Sequence, residues 1–189
     1  MRMNEILQLE KADFRKTDGG VNFVRVTDEE HGNYTGTNFA KRVKTENAIR
    51  DIPLHPIFGK IGFLEWVQER PDGRLFPEAA IGAAEKPSDL YSKRFRSNLK
   101  FANVWKPRRL VFHSFRNNFN DALRHAGVPE ELRKAINGWQ EQRSMDQRYG
   151  RGQTVETLFE HVKKVEYPGL SLEFLKIAAE VVPGRASSR

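Results

Sequence analysis

The chain has 189 residues, 38% of them hydrophobic, and carries 32 Lys and Arg against 25 Asp and Glu, a net charge of +7. This length and apolar content suit one domain with its own core, and the basic balance favours a polyanionic partner. With no cysteine, disulfides, thiolate catalysis and Cys-ligated zinc are excluded; no apolar run approaches the roughly 20 residues of a membrane span, and the early charges of MRMNEILQLEK interrupt a signal peptide's apolar stretch. The chain reads as soluble and cytoplasmic.

From the N-terminus, Met3, Ile6, Leu7 and Leu9 have near-helical spacing. This helix starts at the first residue without an N-cap, so sequence upstream is expected to be missing. Asp18-Gly19-Gly20 signals a turn, and Val21 to Thr27 alternates as a half-buried strand does. After a polar stretch from Asp28 to Asn38, Lys41–Lys44 and Ala48–Leu54 read as a hairpin around Thr45-Glu46-Asn47. Phe58 to Val67 is apolar at helical spacing and stops at Arg70-Pro71-Asp72-Gly73. Residues 72–88 read as a loop, and a basic helix is expected from Ser88, as N-cap, to Trp105, with Pro107 as terminator. Further helices are expected over 113–126, 129–137, 154–165 and 171–181, separated by Gly127, Gly138 and Pro168-Gly169. The fold class is α+β, mainly helical with a small antiparallel sheet.

The chemistry-bearing residues lie within these elements. His113-Ser114-Phe115-Arg116 places a His and an Arg three apart on a helix, where both can face one anionic group. Such a pair is common on solvated helix faces, and its context gives it weight. Gly138-Trp139 follows, then Tyr149 within Gln-Arg-Tyr-Gly-Arg-Gly. Upstream, Lys44-Thr45 sits at the expected hairpin tip ahead of Arg50-Asp51-Ile52-Pro53-Leu54, and Arg2 with Glu5 opens the chain. Each member has an ordinary alternative: Tyr149 as a surface tyrosine, Trp139 as core, Lys44 as a solvated charge, Arg50 as a cross-strand pair. His31, His55, His125 and His161 have no partners at telling spacing and read as structural or surface residues.

In this order the residues resemble the catalytic domain of the tyrosine recombinases, including phage integrases. Leu110 to Gly150, with its HxxR, its AGVPEEL helix start and its Gly-Trp ahead of the Tyr, is similar to the family's second motif block. MRMNEILQLEKADF is similar to the first. The match runs from residue 2 to about residue 170. The resemblance implies a catalytic domain over 1–170, shortened at its N-terminus and without the core-binding domain, followed by a C-terminal helix and tail over 171–189. That helix either docks on a neighbouring protomer, as the family's C-terminal segments often do, or packs on its own domain.

The same resemblance assigns Arg2 and Arg116 to the scissile phosphate, Glu5 to support of the site, Lys44 to general acid, His113 to the HxxR partner, Trp139 to the position of a His or Trp, and Tyr149 to nucleophile. It implies double-stranded DNA as partner, a homotetramer on that DNA, and cleavage and rejoining through a 3′-phosphotyrosine. A type IB topoisomerase uses a similar residue set without exchanging partners, and a DNA-binding remnant that no longer cleaves is a third reading. No Asp, Glu or His cluster shows metal-ligand spacing, so neither metal nor cofactor is expected, and two Arg forks would neutralise charge that a metal often carries. The basic clusters Lys41 with Arg42, Lys93-Arg94 with Arg96, and Lys106 with Arg108-Arg109 are expected to contact backbone phosphates.

Overall fold

Gly20 reverses the chain at φ +85°, a left-handed conformation that glycine adopts at no steric cost. This joins β1 (Phe14–Lys16) to β2 (Asn22–Val26) in an antiparallel ribbon with Phe14 opposite Val24. β3 (Arg50–Pro53) pairs with the other edge of β2, placing Val26 opposite Arg50, so the sheet order is β1-β2-β3. In a computed structural model of the protein, the described residues are 1–31, 40–45, 48–79, 88–107, 109–139, 153–172 and 174–175.

The expected strand over Val21–Thr27 is present, one residue shorter at each end, with Val24 and Val26 buried. The expected hairpin between Lys41–Lys44 and Ala48–Leu54 is not: β3 pairs with β2, and Lys41 to Lys44 has no strand structure. Side chains take the donors that a ladder would use. The Lys41 N–H donates to the Glu30 carboxylate (2.9 Å) and the Arg42 N–H to the Gln8 side chain (3.0 Å).

α1 (Met3–Leu7) precedes the sheet. The single helix expected over Phe58–Val67 is two, α2 (Ile57–Lys60) and α3 (Phe63–Glu69), broken at Gly62 with φ +77°. α4 (Ser88–Phe101) ends before the expected Trp105, where Asn103 turns left-handed at φ +55°. α5 (His113–His125) and α6 (Glu130–Asn137) follow as expected, with left-handed Gly127 and Gly138 behind them. α7 (Val155–Val162) is capped by Thr154, whose Oγ1 accepts the Thr157 N–H at 3.2 Å. Of the helix expected over 171–181, Phe174 and Leu175 are helical, Ser171 and Leu172 are not, and 176–181 lie outside the described residues. The architecture is α+β, and among the described residues no helix is long and apolar enough to cross a membrane.

α6 and α7 pack on β3, and α5 packs on α6. The resulting core joins Val24, Val26 and Ile52 of the sheet to Leu123, Leu132, Ile136, Leu158 and Val162 of the helices. A buried ionic cluster lies beside it. Glu10 and Asp13 are fully buried, and Lys41 Nζ stands 2.7 Å from Asp13 Oδ1 and 3.5 Å from Glu10 Oε2. Lys41, which the sequence places among residues contacting backbone phosphates, is thus buried, its ammonium drawn inward by two buried carboxylates.

Candidate functional site

The site begins at the N-terminus of α1, where Glu5 sits one turn into the helix. Its Oε2 accepts the Arg2 backbone N–H (2.7 Å), and its Oε1 pairs with the Arg2 guanidinium (2.8 Å). A carboxylate is favoured there by the unpaired N–H groups of a helix start. Glu5 is buried, and a second guanidinium reaches it from the sheet: Arg50 Nη2 lies 3.0 Å from Oε2. Burial pushes the Glu5 carboxyl up, but the charge and hydrogen bond of Arg50, together with the Arg2 hydrogen bonds, outweigh it and hold the group below the ordinary glutamate range.

The far wall is the C-terminus of α6. Arg50 Nε donates to the Ile136 carbonyl (3.0 Å) and Arg50 Nη1 to the Ala48 carbonyl (2.6 Å). Arg116, from α5, donates through Nη2 to the next carbonyl, that of Asn137. Two guanidinium groups thus cap the negative end of one helix, and the chain leaving it carries Trp139, whose ring lies 5.2 Å from the Arg116 guanidinium. Gly138 makes the turn at φ +64°, and a Cβ there would stand 2.9 Å from Arg50 Nη1. Gly138→Ala should therefore destabilise the protein by at least about 1–2 kcal/mol, the left-handed penalty alone, because Arg50 is held by three bonds and cannot yield freely. Urea unfolding of the two proteins measures this, and equal stability would refute the packing account.

The electrostatics are strongly positive. Arg2 and Arg50 share the Glu5 carboxylate, and Arg116 stands near enough to feel the charge of all three. Burial, then the charge of Arg2, pulls the Arg116 guanidinium down to about 10, with Arg50 adding to the effect and Glu5 opposing it. Arg116 Nη1 is buried and has no hydrogen-bond partner among the described residues. A buried cationic donor without an acceptor is costly, and an anion would satisfy it.

Of the residues singled out from sequence, Arg2, Glu5, Arg116 and Trp139 come together. His113 is the first residue of α5, one turn before Arg116, and is exposed. Lys44 is exposed in the irregular segment before β3, with no ion pair or hydrogen bond among the described residues. Tyr149 and Arg108 lie outside the described residues. Arg42, Lys93, Arg94, Arg96, Lys106 and Arg109 are exposed.

Arg50 is the participant that sequence reasoning missed. It does not pair across strands; its neighbour Asp51 does, facing Arg25 at 3.4 Å in the ladder. Strand alternation is the available signal: with Asp51 on one face, Arg50 and Ile52 share the other, toward the helices. Glu10, Asp13 and His31 also gather ligand-type atoms within 4.8 Å of one another, a grouping that sequence spacing does not show because His31 arrives through tertiary folding. The Lys41 ammonium stands against both carboxylates of this group.

Comparison of the chain with protein-family models, with curated proteins and with solved structures finds no match.

Proposed function

We propose that the protein is a tyrosine-type site-specific DNA recombinase, cutting and rejoining double-stranded DNA through Tyr149 as a homotetramer on its site in the cytoplasm. The observation that carries this reading is the anion-binding corner: Arg116, far away in sequence, comes to Arg2 and Arg50, which share the Glu5 carboxylate, and its buried Nη1 has no hydrogen-bond partner among the described residues. Arg2 and Arg116 are the positions that the resemblance assigns to the scissile phosphate.

In this reading the Tyr149 oxygen attacks phosphorus, a P–O(Tyr) bond forms and the P–O5′ bond breaks. The phenol's ordinary pKa near 10 leaves about 0.1% ionised at pH 7, so its proton must leave during attack, and His113 accepts it. Lys44, exposed and without an ion pair among the described residues, protonates the departing 5′ oxygen. The five-coordinate state carries extra charge on its non-bridging oxygens. Guanidinium forks bind such oxygens bidentately without a change of protonation. Trp139, packed on Arg116, restricts that fork's orientation. The 3′-phosphotyrosine conserves the bond energy, so attack by a 5′-hydroxyl reverses the step without ATP.

The test is a library of nicked duplexes of randomised sequence, in which the lost 5′ fragment traps the cleaved state and the reaction selects its own site. The wild-type protein should give a DNA adduct that survives denaturation, and Tyr149→Phe should bind duplex equally and give none. Duplex binding by the wild-type protein without any adduct would instead establish a DNA-binding protein that does not cleave.

A further inference from the structure

We infer that α4 and the segment leading into α5 form a stacking platform for single-stranded nucleic acid, bordering the anion-binding corner. α4 has fourteen residues and no buried side chain, although a helix of this length ordinarily hides an apolar stripe. Its packing runs through half-buried Phe95, whose ring meets Phe112 and Phe115 at 5.7 Å each. Beyond that cluster the end of α4 and the turn after it face outward: Phe101 is 95% exposed, Val104 48% and Trp105 39%. A lone exposed aromatic is unremarkable, but two within five residues, with exposed Val104 between them, make a surface that something covers.

Charge identifies the occupant. Between Ser88 and Arg109 there are seven Lys or Arg and one acid, Asp89, and the six of those cations that are described are all exposed. The Lys100 ammonium lies 4.9 Å from the centre of the Trp105 ring, placing a cation for a phosphate beside a surface for a base. B-form duplex presents base edges in its grooves and keeps base faces stacked, so it offers these rings nothing. An unpaired strand offers both phosphates and free base faces.

The location agrees, and here the inference rests on the proposed reaction. Phe115 directly precedes Arg116 on α5, and Ser92 of α4 touches Met3 of α1 (Oγ to Sδ, 3.6 Å). A strand whose phosphate sits between Arg2 and Arg116 would leave the corner across this face, and strand exchange requires bases to unpair next to the cleaved bond.

The experiment uses the full chain and two fluorescent probes, a dT20 oligonucleotide and a blunt hairpin duplex, read by anisotropy. Phe101→Ala and Trp105→Ala should each weaken dT20 binding about five- to a hundredfold and leave duplex binding within about twofold. Phe101→Tyr, which keeps the ring, should bind as the wild type does. Because Phe101 is almost fully exposed, its removal takes nothing from the core, and circular dichroism verifies the fold. Unchanged dT20 binding in both alanine variants would overturn the inference, as would equal loss on both probes. Capture by anionic phospholipid vesicles without dT20 binding would overturn it in favour of a membrane surface. Adduct formation reports separately: a wild-type protein that forms the adduct while its alanine variants bind dT20 unchanged refutes the platform alone, and dT20 binding lost in those variants with no adduct from the wild type refutes the cleavage chemistry alone.

Discussion

Arg116→Ala should reduce the rate of DNA cleavage by about a hundred- to a thousandfold while weakening duplex binding less than about tenfold. The first figure is the usual cost of removing one preorganised donor to a developing oxyanion. The second follows from the distribution of charge: affinity for duplex comes mainly from many exposed cations, each adding one phosphate contact, and Arg116 is buried. The substitution also removes the donor to the Asn137 carbonyl and the cation against Trp139, so the melting temperature must be measured alongside. Arg116→Lys keeps the charge and loses the fork. It should bind DNA normally and cleave at an intermediate rate, because a point charge cannot hold a carbonyl and two phosphate oxygens together. Equal losses of binding and cleavage in Arg116→Ala would assign the residue to general DNA affinity instead.

Glu5→Ala should destabilise the fold by about 3–5 kcal/mol, the range for removing one partner from a buried ion pair. Its carboxylate is the counter-ion of both Arg2 and Arg50, and without it three guanidinium groups face one another. Arg50→Met in the same background should recover part of the loss, since it removes a charge that no longer has a partner. The wild-type protein should show the matching pH dependence. A carboxyl held below its ordinary range when folded is protonated first in the unfolded chain as acid is added. Its stabilisation is therefore complete above the ordinary glutamate range and is lost as pH falls through the lowered value. Urea midpoints of the wild type and Glu5→Gln should converge with falling pH in the acid range. Midpoints that stay parallel would mean that the ion pair contributes nothing.

The parts of the fold that were legible in the sequence are those fixed by local physics. α5 and α6 follow from apolar spacing ended by glycine, and both glycines adopt the left-handed turn expected of helix C-termini. β2 follows from alternation. What was illegible depends on distant partners. Lys41 and Arg42 read as phosphate-contacting residues of a hairpin strand because nothing in their neighbourhood announces that Asp13 and Glu10 draw Lys41 into the interior. Gly62 divides a continuous apolar pattern that periodicity alone reads as one helix. In the site, Arg2, Glu5, Arg116 and Trp139 were readable as an ordered set, and their convergence required the fold. Arg50 was not readable as part of it, since its three bonds reach α1, α6 and its own loop at once.

The most direct measurement is mass spectrometry of protein trapped on a nicked duplex and digested with protease and nuclease. The account predicts one modified peptide, carrying a nucleotide 3′-phosphate on Tyr149. A nucleotide on any other residue, a 5′-phosphate linkage, or no covalent product from protein that binds the same duplex would contradict it.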